Sequence, residues 1–244
     1  MFDTVILLSS ALERSIFMTV LSTHDPNLAI IPVETLADLN ALELEPDALA
    51  SARLIAFVTG VIVPPRVLDQ LGYGAYNFHP GPPTYPGWAP AHFALRERAA
   101  EFGATAHVMV ARVDEGPIVG VEMFSIPPGT SMVCLEGMTY ARLAYLFWSL
   151  ASQLATCSQP LARLPLNWSG KKYTRRDYAA MCDIAPDASR DELDRRIKLF
   201  GDQHASAARN TPAPKRTNTR TGSPLFAADS ERTRSRIASA ARTT

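Results

Sequence analysis

The chain has 244 residues, 47% of them hydrophobic, and a formal net charge of zero, which suits one substantial domain with accessories. That neutrality hides a division: residues 205–244 carry eight basic against two acidic side chains, a net of +6, leaving residues 1–204 at −6. A mildly acidic body offers no basic face to nucleic acid, and only the tail does.

Cys134, Cys157 and Cys182 are scattered, without a CxxC pair or a histidine cluster at ligand spacing. This argues against a disulfide framework and against structural zinc, and it fits a reducing cytoplasm. The N-terminal apolar run is short and has Asp3 where a signal peptide carries basic residues. The apolar region 132–156 contains Glu136 and Arg142, so it never reaches the roughly 20 uninterrupted apolar residues of a membrane span. The expectation is a cytoplasmic chain with no membrane partner.

In chain order, the pattern predicts a buried strand at Val5–Ser9, then a helix at Leu12–Thr23 with Ile16, Val20 and Leu21 on its apolar side. A second strand follows at Leu28–Val33, and then a helix through Leu36, Leu39 and Leu42. Leu54–Val63 reads as a long apolar strand, and Pro64–Pro65 opens a short helix carrying Val67, Leu68 and Leu71. Ala75–His79 is the next strand. Alternating apolar strands and amphipathic helices predict an α/β fold, a Rossmann-like, mostly parallel sheet with helices on both faces.

After a Pro/Gly-rich loop, a helix is predicted over Ala89–Phe102 and strands over Thr105–Val113 and Ile118–Ile126. Those two strands are separated by too few residues for a parallel crossover, so they form an antiparallel pair near the C-terminal end of the sheet. Leu135, Met138, Leu143, Leu146, Phe147, Leu150 and Leu154 define a long amphipathic helix whose Met, Tyr and Trp residues read as core packing. Residues 1–159 thus form the main domain, 160–204 a short helical appendage, and 205–244 a basic tail too poor in apolar residues to fold. Within the appendage, Ser189 and Glu192 form a capping box leading into Leu193, Ile197 and Phe200, with Gly201 as the stop.

The chemistry concentrates at the end of the strand Ala75–His79. Asn77 and His79 are two apart, so an extended backbone points both side chains to one face. They sit at the strand's C-terminal end, where open α/β sheets place their sites. An amide that donates hydrogen bonds beside an imidazole that trades protons suits carbonyl chemistry. Asp114, at the end of another apolar run and just before a Gly-Pro turn, is the matching carboxylate. His107, inside a predicted strand, reads as a buried histidine supporting this site, and His92 as solvent-exposed.

The arrangement Asn77-x-His79, a Pro/Gly loop ending Gly87-Trp88-Ala89-Pro90, then Gly103–His107 and Asp114–Pro117, resembles the folate-dependent formyltransferases. That family includes methionyl-tRNA, glycinamide ribonucleotide and sugar N-formyltransferases and the formyltetrahydrofolate hydrolases, and the resemblance covers about residues 50–156. It implies that Asn77, His79 and Asp114 are the catalytic trio. It also implies that Val61, Ile62 and Val63, with Ala111, Arg112 and Val113, line the pocket for the pteridine of 10-formyltetrahydrofolate, the co-substrate, with no metal. The implied activity is N-formyl transfer to an amine, with a small amine or amino sugar ahead of methionyl-tRNA. Hydrolysis of 10-formyltetrahydrofolate and a non-catalytic folate-binding role with a nucleic-acid-docking tail are the alternatives.

Several features depart from the family. The loop Gly81–Gly87 lacks the usual Ser-Leu-Leu-Pro and is one residue shorter, and only 76 residues precede Asn77. The first strand ends in Leu8-Ser9-Ser10-Ala11-Leu12-Glu13, without the glycines that let backbone amides approach a phosphate, which lowers the ribonucleotide acceptor. Residues 160–244 lack the strand density of the C-terminal barrel of the methionyl-tRNA enzymes, and 173–200 looks instead like a linker helix.

Overall fold

The computed structural model describes residues 1–42, 49–169, 171–183 and 187–200; the expected tail and the helix stop at Gly201 lie outside them. One six-stranded sheet has the order β2-β1-β3-β4-β5-β6. Its strands are β1 (Thr4–Leu8), β2 (Ala29–Val33), β3 (Ala52–Phe57), β4 (Ala75–His79), β5 (Glu101–Val108) and β6 (Ile118–Ser125). The first four are parallel. β5 runs antiparallel to β4, and β6 antiparallel to β5. The expected mixed α/β sheet is therefore present, with the antiparallel region one pairing wider than predicted. Because His79 pairs with Thr105, β5 starts beyond the C-terminal end of β4 and must run back along it.

The helices are α1 (Ala11–His24), α2 (Leu36–Leu42), α3 (Pro65–Gln70), α4 (Pro90–Arg96), α5 (Met132–Thr156), α6 (Arg175–Cys182) and α7 (Arg190–Phe200). Strand alternation splits the core. Val5, Leu7, Ile55, Phe57, Tyr76 and Phe78 join Phe17 and Leu21 of α1 and Leu143, Phe147 and Leu154 of α5. Ile6, Leu8, Leu54 and Ala56 join Leu39 of α2 and Val67 of α3 on the other face. That second cluster reaches β4 at Ala75. Further along β4, the same face carries Asn77 and His79.

Arg53 of β3 is fully buried. Its Nε donates to the Tyr73 carbonyl at 3.2 Å, Nη1 to Gln153 at 3.1 Å and Leu154 at 2.7 Å, and Nη2 to Cys157 at 2.8 Å and Gln159 at 3.4 Å. The guanidinium thus caps the carbonyl end of α5, where the helix dipole is negative. Phe2 lies under it at 4.6 Å.

Several predicted elements need correction. The strand expected through Val63 stops at Phe57, because Val58 takes a left-handed φ of +43° and turns the chain out of the sheet. The helix expected over Ala89–Phe102 ends at Arg96, with Arg98 at φ +56°, and Phe102 belongs to β5. The strand expected over Thr105–Val113 lies four residues earlier at its start and ends at Val108. On α1, Phe17 and Leu21 face the core, whereas Ile16 is 61% exposed. Tyr145 and Trp148 of α5 are exposed instead of packed in the core. In the appendage the Ser189 hydroxyl accepts from the Glu192 N–H as expected, but a second capping box, Thr174 with Asp177, was not predicted.

Candidate active site

Asn77 and His79 do share a face, and β5 places His107 directly opposite Asn77 in the antiparallel register. Asn77 Nδ2 lies 3.1 Å from His107 Nε2. Asp114 reaches both imidazoles, with Oδ2 3.6 Å from His79 Nδ1 and Oδ1 3.3 Å from His107 Nε2. Its Oδ2 also accepts the Gly87 N–H at 2.8 Å. The three residues expected to act together are therefore in one cluster, with His107 as a fourth member, buried as expected. His79, His107 and Asp114 are buried, and Asn77 is half-buried.

Backbone partners fix the ring protons. His79 Nε2 lies 3.1 Å from the Tyr85 carbonyl and His107 Nδ1 2.9 Å from the Val108 carbonyl, so each ring donates there. In the neutral rings, His79 Nδ1 and His107 Nε2 carry the lone pairs, and Nε2 accepts from Asn77. His107 becomes a donor to Asp114 only when its ring gains a second proton. Oδ1 of Asp114 is accordingly a buried acceptor without a hydrogen-bond donor among the described residues. Such an orphan marks a place where a hydrogen-bond donor from substrate or water can be received.

Burial pushes the Asp114 carboxyl up, but His79, His107 and the Gly87 N–H together outweigh it and hold the group well below the usual carboxylate range. Burial also lowers the pKa of His79, and His107 adds to this; Asp114 and the Tyr85 carbonyl pull it back only in part. Both shifts stabilise the folded state toward neutral pH. The His79 contribution is complete above the unfolded value near 6.5 and is lost as pH falls through its lower folded value. The Asp114 contribution is lost further down, below about 3.8. The thermal midpoint should therefore decline from about pH 6.5 downward, and His79→Gln should flatten the first part of that decline. An unchanged slope in His79→Gln would refute the assignment.

The turn bearing Asp114 is tightly constrained. Asp114 itself has a left-handed φ of +51°, which costs a non-glycine residue about 1 kcal/mol or more. Gly116 admits no side chain, since a Cβ there would sit 1.8 Å from the Val108 carbonyl oxygen. Gly87, at φ +96°, abuts Tyr173 in the same way.

The residues expected to line a flat heterocycle fall on two connections at this end of the sheet. Val63 is buried, Val61 half-buried and Ile62 60% exposed. Ala111, Arg112 and Val113 are exposed on the turn before Asp114. Met109, two residues earlier, packs on the same core cluster as Val61 and Val63. A cleft of about 780 Å³, lined by Tyr85, Glu97, Glu101, Lys171 and Tyr173 among others, includes none of Asn77, His79 and Asp114.

His92, expected at the surface, is buried with its ring 5.1 Å from Tyr178 and 5.6 Å from Phe200. Helices α6 and α7 cover it, a contact between distant segments that local pattern does not report. Sequence reasoning also missed Trp168, whose ring meets both site histidines. Its one local signal was an isolated tryptophan in a polar stretch. Among the described residues, no three His, Cys, Asp or Glu side chains group to hold a metal ion, and no helix is long and apolar enough to cross a membrane.

Residues 37–140, which include the whole cluster, match the formyl transferase family model. A methionyl-tRNA formyltransferase of Dechloromonas aromatica is 30% identical over 191 residues, covering 78% of this chain and 60% of the relative. One from Paracidovorax citrulli is 30% identical over 158 residues, covering 63% and 46%. The chain spans about half the length of these curated relatives. The fold is shared with a sugar N-formyltransferase from Shewanella, at TM-score 0.64 and 16% identity, covering 83% of this chain and 90% of that one. A 4-N formyltransferase from Francisella tularensis gives TM-score 0.62 and 16% identity, covering 81% and 88%. The sheet topology, the ordered motif and the sequence matches agree in placing residues 37–140 with the formyl transferases.

Proposed function

We propose that this chain is an N-formyltransferase that moves a formyl group from 10-formyltetrahydrofolate to the amine of a small acceptor or amino sugar. The observation that carries this reading is the buried carboxylate of Asp114, one oxygen orphaned, between two imidazoles and beside the Asn77 amide. Related folds support the donor and the acceptor class. A Helicobacter canadensis N-formyltransferase was solved with folinic acid and dTDP-3-aminofucose, and a sugar 3N-formyltransferase with dTDP and 5-N-formyl-tetrahydrofolate. The loop Val61–Val63 and the turn Ala111–Val113 would take the pteridine, their exposed apolar groups at Ile62 and Val113 being covered on binding. The domain division at residues 159 and 204 belongs to the same proposal.

In the reaction, the amine nitrogen bonds to the formyl carbon and the bond from that carbon to the folate N10 breaks. Asn77 has two amide hydrogens; one meets His107, and the other donates to the formyl oxygen as charge builds on it, worth about 3 kcal/mol. His79, its protonated form favoured by the Asp114 carboxylate, receives the proton released by the amine and returns one to N10. His79 Nε2–H is engaged by the Tyr85 carbonyl, so the loop Gly81–Gly87 must release it for the ring to reach substrate.

The test is incubation with 10-formyltetrahydrofolate and a panel of amines, including amino sugars, nucleotide-linked amino sugars and methionyl-tRNA, with products identified by mass. A mass gain equal to one CO on a small amine, formyl in place of one hydrogen on nitrogen, supports the proposal. Formate release without any acceptor selects the hydrolase. Formylation of methionyl-tRNA alone replaces the small acceptor.

A further inference from the structure

Between α5 and α6, residues 164–169 and 171–173 cross the site as a strap. The Leu164 N–H donates to Ile118 at 2.8 Å, Ser169 N–H to Pro83 at 2.9 Å and Tyr173 N–H to Pro86 at 3.0 Å, while the Trp88 N–H donates to Tyr173 at 2.8 Å. Lys172 meets the Glu115 carboxylate at 3.1 Å and also donates to the Val113 carbonyl. The strap therefore joins the loop after His79 to the turn that carries Asp114. It lies wholly outside residues 37–140, the stretch that matches the family.

Trp168 is the strap side chain that meets the two histidines. The indole Nε1–H donates to the Gly116 carbonyl at 2.8 Å. Its ring stands edge-on to His107, with centroids 5.0 Å apart at 88°, and to His79 at 5.7 Å and 76°. One side chain thus touches both imidazoles and pins the left-handed Asp114 turn, two residues from the carboxylate. Conformations of that kind persist where surrounding contacts over-determine them, and the Trp168 hydrogen bond is one such contact.

We propose that Trp168 is a positioning residue for the His79–Asp114–His107 cluster, holding the Asp114 turn in register with both rings and keeping water from them. This rests on the catalytic reading of the cluster given above. The charged and titratable groups facing His79 are Asp114 from the turn and His107 from β5. Lys172 and Glu115 pair with each other at the outer side of the turn.

The experiment compares Trp168→Ala and Trp168→Phe with wild type in the full chain, following the histidine ring signals by NMR across pH and, separately, formyl transfer. In Trp168→Ala, His79 should titrate at higher pH as water reaches it, and kcat should fall at least tenfold with KM for the folate within about threefold. Trp168→Phe keeps the ring and loses the N–H, so His79 titration should stay near wild type while kcat falls severalfold. If Trp168→Ala does not fold, the kcat loss and retained titration of Trp168→Phe decide the matter. Unchanged histidine titration and unchanged kcat in a folded Trp168→Ala would overturn the proposal, as would a drop in thermal midpoint alone. If wild type transfers no formyl group, the catalytic reading fails, and the NMR titration still decides whether Trp168 positions the cluster.

Discussion

Replacing His79 with Ala, or Asp114 with Asn, is expected to cut turnover of 10-formyltetrahydrofolate by at least about a hundredfold while leaving the sheet folded, the scale of lost acid–base catalysis. The two substitutions act on one device. His79 offers Asp114 the nitrogen not bound to the Tyr85 carbonyl, and Asp114 keeps one oxygen free of donors. Asn at position 114 removes the negative charge that favours a protonated His79 ring, so the imidazole loses the partner that helps it hold the amine's proton. The effects of the two changes should not add, since either one disables the same transfer. Steady-state rates, with circular dichroism to verify folding, make the measurement. Wild-type-like turnover in either folded variant would end the proposed mechanism.

Arg53→Met should lower unfolding stability by about 3–5 kcal/mol, the largest loss expected from a single change remote from the site. Met keeps much of the side-chain volume but provides no donor. The carbonyls of Tyr73, Gln153, Leu154, Cys157 and Gln159 would then lose their shared partner in a buried setting. Arg53→Lys should recover only part, because an ammonium is a compact point charge and cannot reproduce the planar fork that spans α5 and the chain beyond it. Denaturant midpoints at constant slope give the measurement. A loss under about 1 kcal/mol in Arg53→Met would show that the end of α5 is satisfied without the guanidinium. Because α5 also packs on the strands that bear the site, its fraying would be felt there as well.

How far the sequence reached depended on the kind of information each feature needs. β4 was read correctly to the residue because its apolar run is bounded by Gly74 and a Pro/Gly loop. Asn77 and His79 followed from strand alternation. Pairing of β5 with β6 was legible from the four residues between the expected strands. The strand ends near Val58 and Arg98 were not, because they turn on left-handed backbone at residues that local propensity does not favour there. The apolar side of α1 was misjudged because Leu12 and Ile16 are as hydrophobic as Phe17 and Leu21. Only the partners, α5 and the sheet face that both helices share, decide which stripe is covered.

The sequence by itself determined the fold class and, through the ordered motif, the identity of Asn77, His79 and Asp114 as candidates, since spacing along a strand and order along the chain are local properties. Tertiary structure alone decided that Asp114 reaches both imidazoles, that His107 faces Asn77, and that each ring spends one proton on a backbone carbonyl. It also brought Trp168 from the strap onto the cluster and buried Arg53 against the end of α5. Many of these contacts join segments far apart in the chain, Asn77 to His107 at a separation of 30 and Arg53 to Leu154 at 101. The packing that creates them is a property of the assembled layers, which no single stretch of chain encodes.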